Sequence, residues 1–139
     1  MKEMGRGNSK PRSPREKSLQ CARAALEKKA FDLVLLNLKN ISSFTEYFLI
    51  CSGRSDRQVQ AIARSIVEHL KKMGIYSLGM EGFEEGKWIL MDYDDVVVHI
   101  FLDPIRKFYD LEGLWLDAPR VDRVEQMARR SSLGRKARV

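Results

Sequence analysis

The chain has 139 residues, of which 44% are hydrophobic and 32% are charged, and its formal net charge is +6. This length suits one domain with a hydrophobic core of its own. No run approaches the roughly 18 apolar residues of a transmembrane helix, and the N-terminal residues lack the apolar segment of a secretory signal. These features exclude a membrane-spanning protein and favour a cytoplasmic one.

The excess of positive charge lies in the two ends of the chain. Residues 1–18 carry six Lys and Arg against two acidic residues, and residues 120–139 carry seven against two. The remaining 101 residues hold 12 basic and 15 acidic side chains. Basic ends suit electrostatic contact with phosphates, or they are solvated and disordered, and both interpretations stay open. The acidic middle argues against a fold that reads nucleic acid sequence.

The predicted organisation is one folded domain between two basic tails. We expect a disordered tail at residues 1–14, a domain at 15–119, and a partly disordered tail at 120–139, where helical spacing is weak. The two cysteines, Cys21 and Cys51, lack the spacing of a metal site and sit in apolar surroundings. They are therefore predicted to be reduced core residues.

Two segments carry the start signals of helices. Ser13-Pro14-Arg15-Glu16 fits a capping box with proline at the first helical position, and predicts a helix to about Ala30. Ser55 and Gln58 form a second capping box, and unbroken apolar periodicity follows over residues 56–73. This second helix is the clearest element of the chain.

Five segments have the composition of strands: Phe31–Leu38, Glu46–Cys51, Ile75–Met80, Lys87–Asp92 and Val96–Leu102. The continuous apolar run of the first predicts a strand covered on both faces. The succession of strand, helix and strand predicts at least one parallel pair, whereas the short turn Tyr93-Asp94-Asp95 predicts an antiparallel pair.

Shorter helical elements complete the predicted fold. Asp103-Pro104 is expected to cap a short helix that runs through Tyr109, and Leu111–Leu116 adds about one further turn. The fold class is therefore α/β, a single domain with a mixed sheet of about five strands and flanking helices.

Two sets of residues suggest chemistry, and neither forms a complete motif. Gly53-Arg54-Ser55 lies between a strand and a helix, where backbone amides can hold a phosphate, but the glycine pattern of a P-loop is missing. The Asp92 and Asp94 carboxylates could hold a divalent metal. Together the two sets outline a metal-dependent nucleotidyltransferase, which we keep as the alternative function. That site also requires a third carboxylate on a neighbouring strand, which the sequence pattern does not locate, so no catalytic residue, metal or cofactor is predicted.

The aromatic residues favour binding instead. Alternation along the fourth strand places Trp88, Leu90 and Asp92 on one side, and Ile89, Met91 and Tyr93 on the other. One side must face the core, and the sequence does not say which. The exposed side then carries either Trp88 beside Asp92 or Tyr93 beside Met91, and both combinations are typical of the centre of an interface. His99 has no nucleophile as a partner and is interpreted as a sheet residue on the same side as Val97 and Phe101.

Two stretches carry a family resemblance. The motifs EG…WILMDYDDVVVHIF…RKFYDLEGLW and FTEYFLICSGRSDRQVQAIA resemble the Iojap family, the ribosomal silencing factors, over residues 18–119. The resemblance implies a fold related to nucleotidyltransferases without their activity. It implies binding to the large ribosomal subunit at ribosomal protein L fourteen, where the bound factor blocks joining of the small subunit and represses translation. A role in large-subunit biogenesis is also implied.

The resemblance also implies a partner-binding surface. Its expected residues are Glu81, Trp88, Asp92, Tyr93, Asp94, His99, Arg106, Tyr109 and Trp115. We further expect that the basic tails contact ribosomal RNA, that no membrane is involved, and that the free protein can form a homodimer through its apolar surface.

Overall fold

A five-stranded mixed sheet organises residues 10–131, the part of the chain that the computed structural model describes. The helices are α1 Pro14–Glu27, α2 Asp56–Lys72, α3 Asp103–Tyr109 and α4 Val124–Ser131, with a 3₁₀ helix at Leu111–Trp115. The strands are β1 Phe31–Asn37, β2 Tyr47–Gly53, β3 Gly79–Glu81, β4 Trp88–Asp92 and β5 Val96–Leu102.

The strand order is β1-β2-β5-β4-β3. β2 and β5 are parallel, and the other three pairs are antiparallel. Both pairing predictions are therefore confirmed. The parallel pair requires a long connection, which α2, β3 and β4 supply between the two central strands.

The predicted helix starts are confirmed in detail. Ser13 and Ser55 have extended backbones, and the Oγ of each accepts the N–H of the residue three positions later, Glu16 and Gln58 respectively, at 3.1 Å. These bonds satisfy donors that the first helical turn leaves free. By contrast, Asp103 is not the cap of α3. Leu102 takes the cap position without a side-chain bond, and Asp103 pairs with Lys107 at 3.1 Å.

The third strand is shorter than predicted. Residues 75–80 were expected to be extended, but the N–H of Ile75 donates to the carbonyl of Leu70 and closes the end of α2. The first backbone bond to β4 is donated by the N–H of Leu78 to the carbonyl of Asp92 at 2.7 Å, and Gly79 lies opposite Asp92, the last residue of β4. β3 therefore has three residues because its partner strand ends there.

The fold also extends further than the predicted boundary at residue 119. The N–H of Val121 donates to the carbonyl of Leu35, so this segment covers the outer edge of β1. α4 then buries Val124 and Ala128 in the main core. Val124, Met127 and Ala128 have the i, i+3, i+4 spacing of an amphipathic helix, so the expectation of weak helical spacing after residue 119 is wrong. The rest of the predicted tails, residues 1–9 and 132–139, lies outside the described residues.

Helices α1, α2 and α4 cover one face of the sheet and form the main core with it. A smaller core lies on the opposite face, where α3 and the 3₁₀ helix cover only part of the sheet. β1 contributes Leu35 to the first core and Leu36 to the second, as expected for a strand covered on both faces. None of the helices within residues 10–131 is long and apolar enough to cross a membrane.

Candidate docking surface

The partly covered face of the sheet carries the candidate site, which we call the open face. Directly paired residues of neighbouring strands point to the same side. The register therefore aligns three rows across β2, β5 and β4: Phe48, Val97 and Asp92; Ile50, His99 and Leu90; and Ser52, Phe101 and Trp88. Glu81 of β3 extends the middle row because it pairs with Leu90.

Trp88 lies at the centre of an aromatic cluster on the open face. Its ring stacks on Phe101 at 4.8 Å between centroids and lies 5.2 Å from the ring of Tyr109. Phe48 contacts both His99, at 4.6 Å, and Trp115, at 5.6 Å, edge to face. Such contacts hold large rings in one orientation, so the cluster presents a preformed apolar surface.

A hydrogen bond to His99 orients the indole ring of Trp88. The Trp88 Nε1–H donates to His99 Nδ1 at 3.1 Å. Because an indole N–H can only donate, Nδ1 must be unprotonated, which makes the imidazole neutral with its proton on Nε2. Burial lowers the pKa of His99 from 6.5 to about 4, in agreement with this geometry.

The neutral histidine predicts a pH dependence of stability. Between about pH 4 and 6.5 the unfolded chain binds a proton that the folded chain excludes, so stability falls as pH decreases through this window. The loss from this one group should be about 2–3 kcal/mol at pH 4.5 relative to pH 7. His99→Gln retains an acceptor for Trp88 but does not titrate. Urea unfolding of both proteins at the two pH values should show a smaller loss in the variant, and equal losses would contradict this role.

Arg106 fastens α3 to the sheet. Its Nη1 donates to the carbonyl of Asp32 at 2.7 Å and to Ser52 Oγ at 2.9 Å, and its Nη2 donates to Glu112 Oε2 at 2.8 Å. Burial raises the pKa of Glu112, but the hydrogen bond and charge of Arg106 outweigh it and the net shift is downward. The Asp32 carbonyl is available because β1 has an irregularity there, with a φ of 53°.

The structure separates Tyr93 from the other predicted surface residues. It is 2% exposed and packs in the main core together with Met91, and burial raises the pKa of its hydroxyl. Trp88, Leu90 and Asp92 lie on the opposite, open face. The side of β4 that is available to a partner is therefore the tryptophan side.

The other predicted partner-binding residues differ in how far they are exposed. Tyr109 is 54% exposed, and Trp88, Asp92 and Trp115 are half-buried beside it or along the same face. Glu81 and Asp94 are exposed at the margins. His99 and Arg106 are buried and can act only by positioning the residues above them. Asp94 has a φ of 75°, and its N–H donates to Asp92 Oδ1 at 2.8 Å, a side-chain-stabilised hairpin turn.

The residues of the alternative nucleotidyltransferase site are not brought together. Gly53 pairs with Leu102 at one end of the central strands, whereas Asp92 pairs with Val97 near the other. The partners of these two residues, Leu102 and Val97, are five residues apart along β5, which corresponds to roughly 16 Å. The amide of Arg54 and the hydroxyl of Ser55 are already engaged by Gln58. Within residues 10–131, no group of three or more His, Cys, Asp or Glu is arranged to hold a metal ion.

Comparison with known proteins identifies the family. The family model described as "Ribosomal silencing factor during starvation" matches residues 11–138. The chain belongs to this family.

Individual members of the silencing factor family support the assignment. The chain is 50% identical over 101 residues to "Ribosomal silencing factor RsfS" of Bacillus subtilis (strain 168), covering 73% of this chain and 86% of that protein. A crystal structure of a Chromobacterium violaceum protein superposes with a TM-score of 0.73 at 37% identity, covering 74% of this chain and 86% of the other. The chain is also 30% identical over 105 residues to "Mitochondrial assembly of ribosomal large subunit protein 1" of Mus musculus, covering 73% of this chain and 46% of that protein.

The family match also corrects the extent of the resemblance. It was expected to end at residue 119, with the basic ends outside the family region, but it continues through α4 to residue 138. The described part of that extension is folded against α1. In this chain, α4 is therefore part of the domain.

Three contributors to the open face are absent from the residues predicted from the sequence. They are Leu90, which alternation places on the same side as Trp88, and Phe48 and Val97 of the two central strands. All three are partly exposed in the middle and outer rows of the sheet. Alternation from Trp88 would have found Leu90, whereas Phe48 could be found only from the parallel register of β2 and β5.

Proposed function

We propose that this silencing factor docks through its open face on the large ribosomal subunit, at ribosomal protein L fourteen. The small subunit would then be excluded sterically, and translation repressed. The observation that carries the proposal is the aromatic cluster around Trp88, which the helices of the fold leave partly uncovered. Large, preorganised aromatic side chains are the usual anchors of protein interfaces.

Further apolar side chains enlarge this surface. Phe108 of α3 is 80% exposed, Leu114 of the 3₁₀ helix is 76% exposed, and Leu116 is 81% exposed. Such a concentration of large exposed apolar groups is typical of an interaction site rather than of a solvated surface. The segment is held in place by Arg106, so it adds area without needing to become ordered on binding.

The charge of the region supports a basic partner. Glu81 lies at the exposed end of β3, and Asp92 lies at the end of β4 on the same face. Residues 31–118 together hold 14 acidic and 9 basic side chains. Charges of opposite sign at the rim of an interface accelerate association and fix its orientation more than they raise affinity.

The names of two relatives agree with the proposal. One is called a ribosomal silencing factor and another an assembly protein of the ribosomal large subunit. Both names refer to the ribosome, which supports docking there, and the second supports a contribution to large-subunit biogenesis. The exposed apolar side chains also support self-pairing of the free protein, in which case pairing and docking would compete for the same surface.

A titration of purified protein L fourteen tests the proposed partner. The silencing factor carries a fluorescent label and L fourteen is added at moderate salt. We expect saturable binding that weakens as salt rises, because complementary charges are screened. Another basic ribosomal protein of similar size serves as the control. Equal binding to both would contradict a specific dock at L fourteen.

A further inference from the structure

Exposed Lys and Arg side chains are concentrated at one end of the layer that helices α1, α2 and α4 form on the sheet. α1 and α2 are antiparallel, since Gln58 Nε2 at the start of α2 donates to the carbonyl of Lys28 at 3.0 Å, just beyond the end of α1. Their other ends are also adjacent, because Lys10 packs against Gly74. The exposed residues Lys71 and Lys72 at the end of α2 therefore lie beside the start of α1.

α4 adds to the same region. Arg15 Nη2 lies 3.7 Å from Met127 Sδ, so the first turn of α1 contacts the middle of α4. Arg130 is three residues beyond Met127 and lies along the same side of that helix. We call the resulting group of exposed side chains the basic end: Lys10, Arg12, Arg15, Lys71, Lys72 and Arg130.

The acidic residues near the basic end are fewer than its basic ones. Glu16 lies in the first turn of α1, where its Oε1 accepts the backbone N–H of Arg12 at 2.6 Å, and Glu68 is exposed one turn before the end of α2. Asp95 and Glu125 pair with Lys17 and Arg129, at 2.7 and 2.9 Å, and neither of these cations belongs to the group of six. The N-terminus of α1 adds the positive end of a helix dipole. The basic end thus has an excess of positive charge, although the middle of the chain is acidic.

The chain continues from the basic end in both directions. Residues 1–9 follow on from Lys10 and carry two Lys or Arg and one Glu. Residues 132–139 follow on from α4 and carry three Lys or Arg and no acidic residue. Both flanking segments therefore have a net positive charge of their own.

We propose that the basic end binds the phosphate backbone of RNA without reading its sequence. Clustered, exposed Lys and Arg with a helix N-terminus are the groups that contact phosphates. Helices α1, α2 and α4 cover the sheet face opposite the open face, so this contact and docking use different faces of the sheet. The two surfaces approach each other at the β4–β5 turn, where Lys17 of α1 pairs with Asp95 at 2.7 Å. The inference deepens the proposed function, since a factor docked on a ribosomal protein has RNA as its neighbour.

The test measures binding to a labelled 20-base-pair RNA duplex by fluorescence anisotropy, across a series of salt concentrations. Arg12→Glu with Lys71→Glu alters two groups of the basic end. Arg57→Glu with Lys87→Glu is the matched control, since it changes net charge equally through two exposed residues near the other end of α2. We expect the first variant to bind at least about 10-fold more weakly, with a salt slope reduced by about two. The control should stay close to the wild type.

Several results would overturn the inference. Equal weakening in both variants would mean that only total charge matters. Binding of the wild type to phosphatidylserine vesicles but not to RNA would assign the basic end to a lipid surface. The basic-end variant should still bind protein L fourteen like the wild type. If the protein does not bind RNA, the docking proposal therefore still stands. If it binds RNA but not protein L fourteen, the proposal for the basic end still stands.

Discussion

Replacement of Arg106 by alanine is expected to lower the free energy of unfolding by about 3–5 kcal/mol, because it leaves a charged partner without compensation in a water-poor site. The guanidinium and the Glu112 side chain are only 8% and 17% exposed. The change would also leave the carbonyl of Asp32 and the hydroxyl of Ser52 without their donor. Urea unfolding at pH 7 measures the effect.

The neighbouring ion pair provides a matched control. Lys107 pairs with Asp103 at 3.1 Å, but its side chain is 75% exposed. Exposed pairs contribute less than about 1 kcal/mol, so Lys107→Ala should change stability little. Combining Arg106→Met with Glu112→Leu should recover part of the loss, since no charge then remains buried. Comparable effects of Arg106→Ala and Lys107→Ala would show that the bonds of Arg106 to Asp32, Ser52 and Glu112 are not a main support of the fold.

Trp88→Ala is expected to weaken binding to protein L fourteen by at least about 2 kcal/mol, which is roughly 30-fold in affinity. The change removes the central ring of the cluster and leaves His99 Nδ1 without a donor. The same fluorescence titration measures the loss, and circular dichroism establishes that the variant is folded.

Two further variants distinguish a specific contact of Trp88 from a general effect of removing an aromatic ring. Trp88→Phe retains a ring over Phe101 but removes the N–H donor, so its binding should fall between those of the wild type and the alanine variant. Tyr76 is 64% exposed in the connection between α2 and β3, and Tyr76→Ala should bind like the wild type. A folded Trp88→Ala protein with wild-type affinity would remove tryptophan from the proposed interface.

The strands and their faces were largely predictable because alternation is a local property. Trp88, Leu90 and Asp92 share one side as predicted, and His99 shares a side with Phe101. Which side is open could not be predicted, because it depends on where the helices pack after the chain has crossed from β2 to β5. Only the register across these strands brings Phe48 beside His99.

Arg106 shows a second limit of sequence reasoning. In the motif RKFYDLEG it is one of two adjacent basic residues, and nothing local distinguishes it from Lys107. The structure buries one and exposes the other. The difference arises from the irregularity at Asp32, 74 residues earlier in the chain, which offers a carbonyl to the guanidinium.

The central claim is that docking of the open face prevents the ribosomal subunits from joining. The most direct measurement mixes purified large and small subunits under joining conditions, with or without the silencing factor, and separates the products on a sucrose gradient. The account predicts fewer joined ribosomes, with the factor sedimenting on the free large subunit, and little effect of Trp88→Ala at the same concentration. An unchanged joined fraction, while the factor is bound to the large subunit, would contradict it.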